Sequence, residues 1–84
     1  MNYCFITLRS LTMAQKAETL LRRNGISCTL QRTPRWMEEQ GCGYCIRFWY
    51  GNPEKVPELL RRNQIPFRRV YRQTAEGSME EIML

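Results

Sequence analysis

Leu20-Leu21-Arg22-Arg23-Asn24-Gly25-Ile26 returns 39 residues later as Leu59-Leu60-Arg61-Arg62-Asn63-Gln64-Ile65. At the same offset Lys16 falls on Lys55, and Ala17 on the apolar Val56. Each copy reads as the end of an amphipathic helix that closes at Asn-Gly or Asn-Gln and runs into a strand. One such unit used twice predicts two β-α-β halves joined by the loop from 32 to 43.

Working outward, Thr12 with Gln15 three residues on gives a capping-box pattern that starts the first helix. Met13, Ala17, Leu20 and Leu21 form one apolar stripe at helical spacing, and Gly25 supplies a left-handed C-terminal residue. The second helix is predicted to begin at Asn52-Pro53, an N-cap with Pro at the first helical position. It buries Val56, Leu59 and Leu60 and stops before Pro66. Pro57 falls in or just past its first turn, where a missing N–H costs little. Residues 3 to 8, 26 to 30, 44 to 48 and 67 to 71 alternate or run apolar as strands do. The expected fold is α+β and ferredoxin-like, β-α-β-β-α-β. Its sheet is expected to be four-stranded and antiparallel, order 4-1-3-2, with both helices on one face. Residues 1–72 make this domain. Residues 73–84 are expected to be a flexible or docking tail, because Gly77-Ser78 breaks the pattern before Met79, Ile82, Met83 and Leu84.

A chain of 84 residues makes one domain with a thin core. It carries no apolar run near the length of a membrane span. The start Met1-Asn2-Tyr3-Cys4 has no basic leader and no signal-peptide core, so a cytoplasmic protein is expected. The net charge is +5 and lopsided: eleven of the 13 cations are Arg, and Asp is absent. Up to Ala75 there are 13 basic against 5 acidic residues, +8, a balance that suits an anionic ligand as well as a plain solvated surface. Histidine is absent, which removes the usual general base and the commonest zinc ligand. Neither a metal site nor a cofactor is expected.

Of the four cysteines, Cys4, Cys28 and Cys45 fall within strands, where Cys acts as a small hydrophobe. Cys42 stands apart, between Gly41 and Gly43. In the expected topology the start of the third strand lies beside the end of the first, and therefore near the first helix. Cys42 would then face the turn from Arg9 to Thr12, with Ser10 and Thr12 in it, and backbone N–H groups that favour a thiolate. Arg35 and Arg47 would add positive charge, and Gly43 would let the backbone approach a bound group. The plainer reading is a structural Cys at a strand end. Cys42-Gly43-Tyr44-Cys45 is also C-x-x-C, but strand geometry sets residues i and i+3 about 10 Å apart, too far for a disulfide unless the glycine turn shortens it. Cys45 is thus at most a second thiol. A zinc site is weaker still, with no second pair.

Ser10, Ala14-Gln15-Lys16-Ala17-Glu18, Gly25-Ile26, Thr33-Pro34-Arg35, Cys42-Gly43 and Arg47-Phe48 follow one another in an order that resembles a family of small bacterial proteins described as selenium/sulfur-carrier-like. The resemblance covers residues 3 to 71. It implies a persulfide or selenosulfide on Cys42, with Ser10, Pro34, Arg35, Gly43 and Arg47 among the matched positions around it. It also implies a donor or acceptor protein as partner, and a stoichiometric carrier in preference to a true enzyme. Cys45 departs from the family pattern, which has a small apolar residue there. It is either a resolving thiol or a replacement for Ala on the sheet face.

Two other classes compete. A basic β-α-β-β-α-β domain resembles an RRM, and 42–49 partly mimics its RNA-stacking strand. With Tyr44 and Ile46 outward, however, Arg47 would enter the core unpaired, and Ile would stand where a stacking aromatic is needed. Nucleic acid is therefore disfavoured. The third class is a homodimeric regulatory or assembly module, with Tyr3, Phe5, Trp49 and Tyr71 on an exposed sheet face.

Overall fold

The computed structural model describes residues 3–33, 43–49 and 54–82. Among these the element order is β1 (Tyr3–Leu8), α1 (Leu11–Arg23), β2 (Cys28–Arg32), β3 (Tyr44–Trp49), α2 (Lys55–Arg62), β4 (Val70–Gln73) and β5 (Met79–Glu81). The expected four-stranded sheet of order 4-1-3-2 is corrected. Among the described residues the sheet has five antiparallel strands in the order β2-β3-β1-β4-β5.

The fifth strand comes from the segment that the sequence suggested as an appendage, and Gly77 is the reason it can form. At φ +88° Gly77 takes the left-handed conformation and donates its N–H to Thr74 C=O at 3.0 Å. Thr74 N–H reaches Ser78 C=O at 2.7 Å, so the glycine that breaks the strand pattern makes a hairpin. Two ion pairs link the return strand to its neighbour: Arg72 Nη2 lies 3.2 Å from Glu80 Oε1, and Arg69 Nη1 3.2 Å from Glu81 Oε1. Met79 and Ile82 pack on opposite faces of the sheet, each against a different apolar cluster.

The two copies of the repeat fold alike down to their hydrogen bonds. In the first, Gly25 N–H donates to Arg22 C=O and Ile26 N–H to Leu21 C=O. In the second, Gln64 N–H donates to Arg61 C=O and Ile65 N–H to Leu60 C=O. These are matching Schellman closures. Both need a left-handed residue, Gly25 at φ +75° and Gln64 at φ +58°. Asn24 and Asn63 each donate a side-chain N–H to the carbonyl four residues back, Leu20 and Leu59, at 2.8 and 2.9 Å.

The helix starts are less alike, and one differs from expectation. Ser10 caps α1, its Oγ accepting from Met13 N–H at 3.2 Å; Thr12 is already inside the first turn. The expected start of the second helix at Asn52-Pro53 lies outside the described residues. Pro57 sits in the first turn of α2, where it needs no N–H partner.

Alternation sorts the strand side chains. Cys4, Ile6 and Leu8 join Ile46, Phe48 and Val70 beneath Ala14, Ala17 and Leu21 of α1 and Val56 and Leu60 of α2. Both helices therefore cover one face and build the main core. On the other face Phe5, Cys45 and Tyr71 form a second buried cluster, with Tyr3 and Met79 against it.

Candidate functional site

β3 begins beside the end of β1, since Tyr44 pairs with Leu8. One residue earlier, Gly43 accepts from Thr33 N–H at 3.1 Å and so extends the β2–β3 ladder. A Cβ on Gly43 would come within 3.3 Å of Thr33 Oγ1 and 3.7 Å of Leu8 O. A glycine fits this crowded corner without displacing its neighbours. Thr33 Oγ1 is buried there with no hydrogen-bond partner among the described residues.

Ser10 stands two residues past Leu8, and its side chain is spent on capping α1. Thr12 is exposed on α1 and lines a groove with Lys16, Arg23 and Asn63. Cys42, Pro34 and Arg35, three residues on which the sequence reading leaned, lie outside the described residues.

Arg47 is not gathered with Ser10 and Gly43. It lies opposite Phe5 on the helix-free face, and its guanidinium carbon sits 4.6 Å from the centre of the Tyr3 ring. Tyr3 pairs with Trp49, so Arg47 leans toward the far end of β3 and stacks as a cation on an aromatic. Among the described residues, the cations that flank the β1–β3 corner are Arg9 and Arg32. Arg9 directly follows β1, while Arg32 pairs with Tyr44 and lies 5.9 Å from its ring centre. The sequence reading missed Arg32; the β2–β3 register, which sets it opposite Tyr44, is the signal that finds it.

The three described thiols are free and buried. Burial raises the pKa of each, because a thiolate loses solvation in an apolar setting. Arg72 partly offsets this at Cys4. At Cys28 Arg22 pulls the value back, and Glu18 pushes it up again. At Cys45 the Gln31 and Thr33 side chains pull back. Cys45 is wholly inaccessible and directs its Sγ at Arg32 C=O, 3.9 Å away. None of the three is arranged as a nucleophile at neutral pH.

The helix-free face also bears on the RRM comparison. Ile46 is in the main core and Tyr44 packs against it, so Cys45 and Arg47 occupy the alternate face. Phe5 and Tyr71 are 8% exposed, whereas Trp49 reaches 36% and stacks at 4.4 Å on Tyr3. Among the described residues no group of three His, Cys, Asp or Glu side chains could hold a metal ion, and no helix is long and apolar enough to cross a membrane.

Comparison with curated proteins and with solved structures gives no match. A family model described as "Putative Se/S carrier protein-like" matches residues 3–72, most of the chain. On that match the chain belongs to the Se/S carrier protein-like family.

Proposed function

We propose that the protein carries sulfur or selenium on the Cys42 thiol. The observation that carries this reading is the state of the other three cysteines: each is buried with a raised pKa, which leaves Cys42 as the candidate nucleophile within a family named for carriage. Gly43, one peptide bond away, lies at the β1–β3 corner beside the Thr33 side chain, and its lack of a Cβ keeps that corner open to close backbone approach. Arg9 and Arg32 flank the same corner and favour an anionic sulfur or selenium species there.

The chemistry is a transfer of one sulfane atom. The Cys42 thiolate attacks the outer sulfur of a donor persulfide, R–S–SH; the inner S–S bond breaks and R–S⁻ departs. A new S–S bond leaves Cys42 as the persulfide. Transfer to an acceptor thiolate reverses these roles and regenerates the Cys42 thiolate, so no external oxidant is needed. The selenium version replaces the transferred sulfur atom for atom.

Incubation with a small-molecule persulfide donor, alkylation and intact-mass analysis test the reading. The expected adduct is one sulfur on Cys42, lost in Cys42→Ala while the circular dichroism spectrum is unchanged. Equal labelling of Cys42→Ala overturns it.

A further inference from the structure

The 39-residue repeat builds two related grooves on the helix side of the molecule. One, of about 450 Å³, has Lys16, Thr19, Leu20, Arg23, Asn63 and Ile65 in its lining. The other, of about 200 Å³, is lined by Lys55, Glu58, Leu59, Arg62, Asn24 and Ile26. Shifting either set by 39 positions gives the other, with one chemical change in the charged row. Thr19 stands where the second groove has Glu58.

That change alters what the grooves need. In the smaller one the Glu58 carboxylate lies across the rim and holds Arg62 Nη2 at 2.9 Å. The protein supplies its own anion there, and the groove is correspondingly fuller. In the larger one no carboxylate is among the described lining residues, so Lys16 and Arg23 face a space that these flank only with neutral groups. Thr12 and Gln15 extend that rim with a hydroxyl and an amide, over an apolar floor of Leu20 and Ile65.

We infer that the larger groove is a docking site for an acidic side chain of a partner protein, which supplies in trans the carboxylate that Glu58 supplies in cis to its counterpart. The internal counterpart identifies the occupant: at the matching position of the smaller groove a carboxylate on an aliphatic stem, that of Glu58, pairs with the equivalent arginine, Arg62. The +8 charge of the body draws such a partner in, and the groove sets where it lands. This surface is independent of the chemistry at Cys42.

The test is a titration of the isotope-labelled full chain with hexaglutamate at low salt, followed by amide chemical shifts. Shifts are expected at Thr12, Lys16, Thr19, Arg23 and Asn63. Thr19→Glu places a carboxylate one helical turn from Arg23, as Glu58 is from Arg62, and is expected to weaken the peptide about two- to fivefold. Arg23→Gln gives the same loss by removing the cation. Glu58→Thr opens the second groove, bringing new shifts at Lys55 and Asn24. Shifts spread evenly over Arg68, Arg69 and Arg72, or a response unchanged in Thr19→Glu, would overturn the inference. Inorganic phosphate or a single-stranded oligonucleotide moving the same resonances as strongly as the peptide would also overturn it.

Discussion

Glu18 accepts a hydrogen bond from the backbone N–H of Leu30, with Oε2 3.3 Å from the nitrogen. The same oxygen holds Arg22 Nη2 at 3.2 Å, and that Nη2 donates to Cys28 C=O at 3.3 Å. β2 is an edge strand, and an edge leaves outward N–H and C=O groups that pair readily with another chain. An i,i+4 pair on α1 thus satisfies one donor and one acceptor of the free edge. In the second copy of the repeat Pro57 replaces this glutamate, and the strand that follows, β4, is not an edge because β5 covers it.

Removing that carboxylate is expected to cost stability and open the edge. Glu18 is 23% exposed, so its charge-assisted bond to Leu30 is only partly screened. Glu18→Ala is expected to lose about 1–2 kcal/mol in urea unfolding. It is also expected to increase concentration-dependent association in sedimentation. Loss of stability without added association would show that the bond supports the helix–strand packing and does not guard the edge.

The repeat predicts a stabilising substitution. Gln64 holds the left-handed position that Gly25 holds in the first copy, φ +58° against +75°. A side chain there costs about 1 kcal/mol or more relative to glycine. Gln64→Gly is expected to recover about 0.5–1 kcal/mol, and Gly25→Ala to lose about 1 kcal/mol, both read from urea midpoints at unchanged slope. Opposite signs at equivalent sites would separate a backbone effect from a packing effect.

How much of this was legible in the sequence follows from which physical signals are local. The repeat located both helices and their closures, because helix ends are written in adjacent residues such as Asn24-Gly25. The fifth strand was not legible: Met79-Glu80-Glu81 has no apolar alternation, and its partners Arg69 and Arg72 lie across a hairpin. The helix start was misread for a similar reason, since Ser10 and Thr12 offer the same chemistry and only backbone conformation chooses between them. At the candidate site the sequence grouped Arg47 with Cys42, which lies outside the described residues. Strand register sets Arg47 opposite Phe5 and Arg32 opposite Tyr44, a relationship between strands that no single segment encodes.

The hairpin that the sequence hid is expected to matter for stability more through its apolar contacts than through its charges. The Arg69–Glu81 and Arg72–Glu80 pairs are one-third to one-half exposed and are each worth about 0–1 kcal/mol. Met79 and Ile82 cover Tyr71 and Val70 on opposite faces. Ending the chain after Ser78 is expected to cost about 2–3 kcal/mol from lost burial. Glu80→Gln with Glu81→Gln is expected to cost about 1 kcal/mol, so the melting temperature falls further in the truncated form than in the double substitution.

The buried thiols predict how stability responds to alkali. Burial raises Cys4, Cys28 and Cys45 above the ordinary thiol value of 9.0. Below that value folded and unfolded chains both hold these protons, so the thiols leave stability independent of pH. Above it the unfolded chain releases protons that the folded chain keeps, and the unfolded state gains. Stability is therefore expected to fall as pH rises past 9.0 and to go on falling until the folded thiols ionise. The measurement is the difference in urea unfolding between the parent and Cys45→Ala across this window. Of the three described thiols Cys45 is the one with no accessible surface, and its removal is expected to flatten the alkaline decline while leaving a constant cost of about 1 kcal/mol at neutral pH. Parallel curves would mean that Cys45 ionises as easily folded as unfolded, which its enclosure between Gln31, Thr33 and the Arg32 carbonyl opposes.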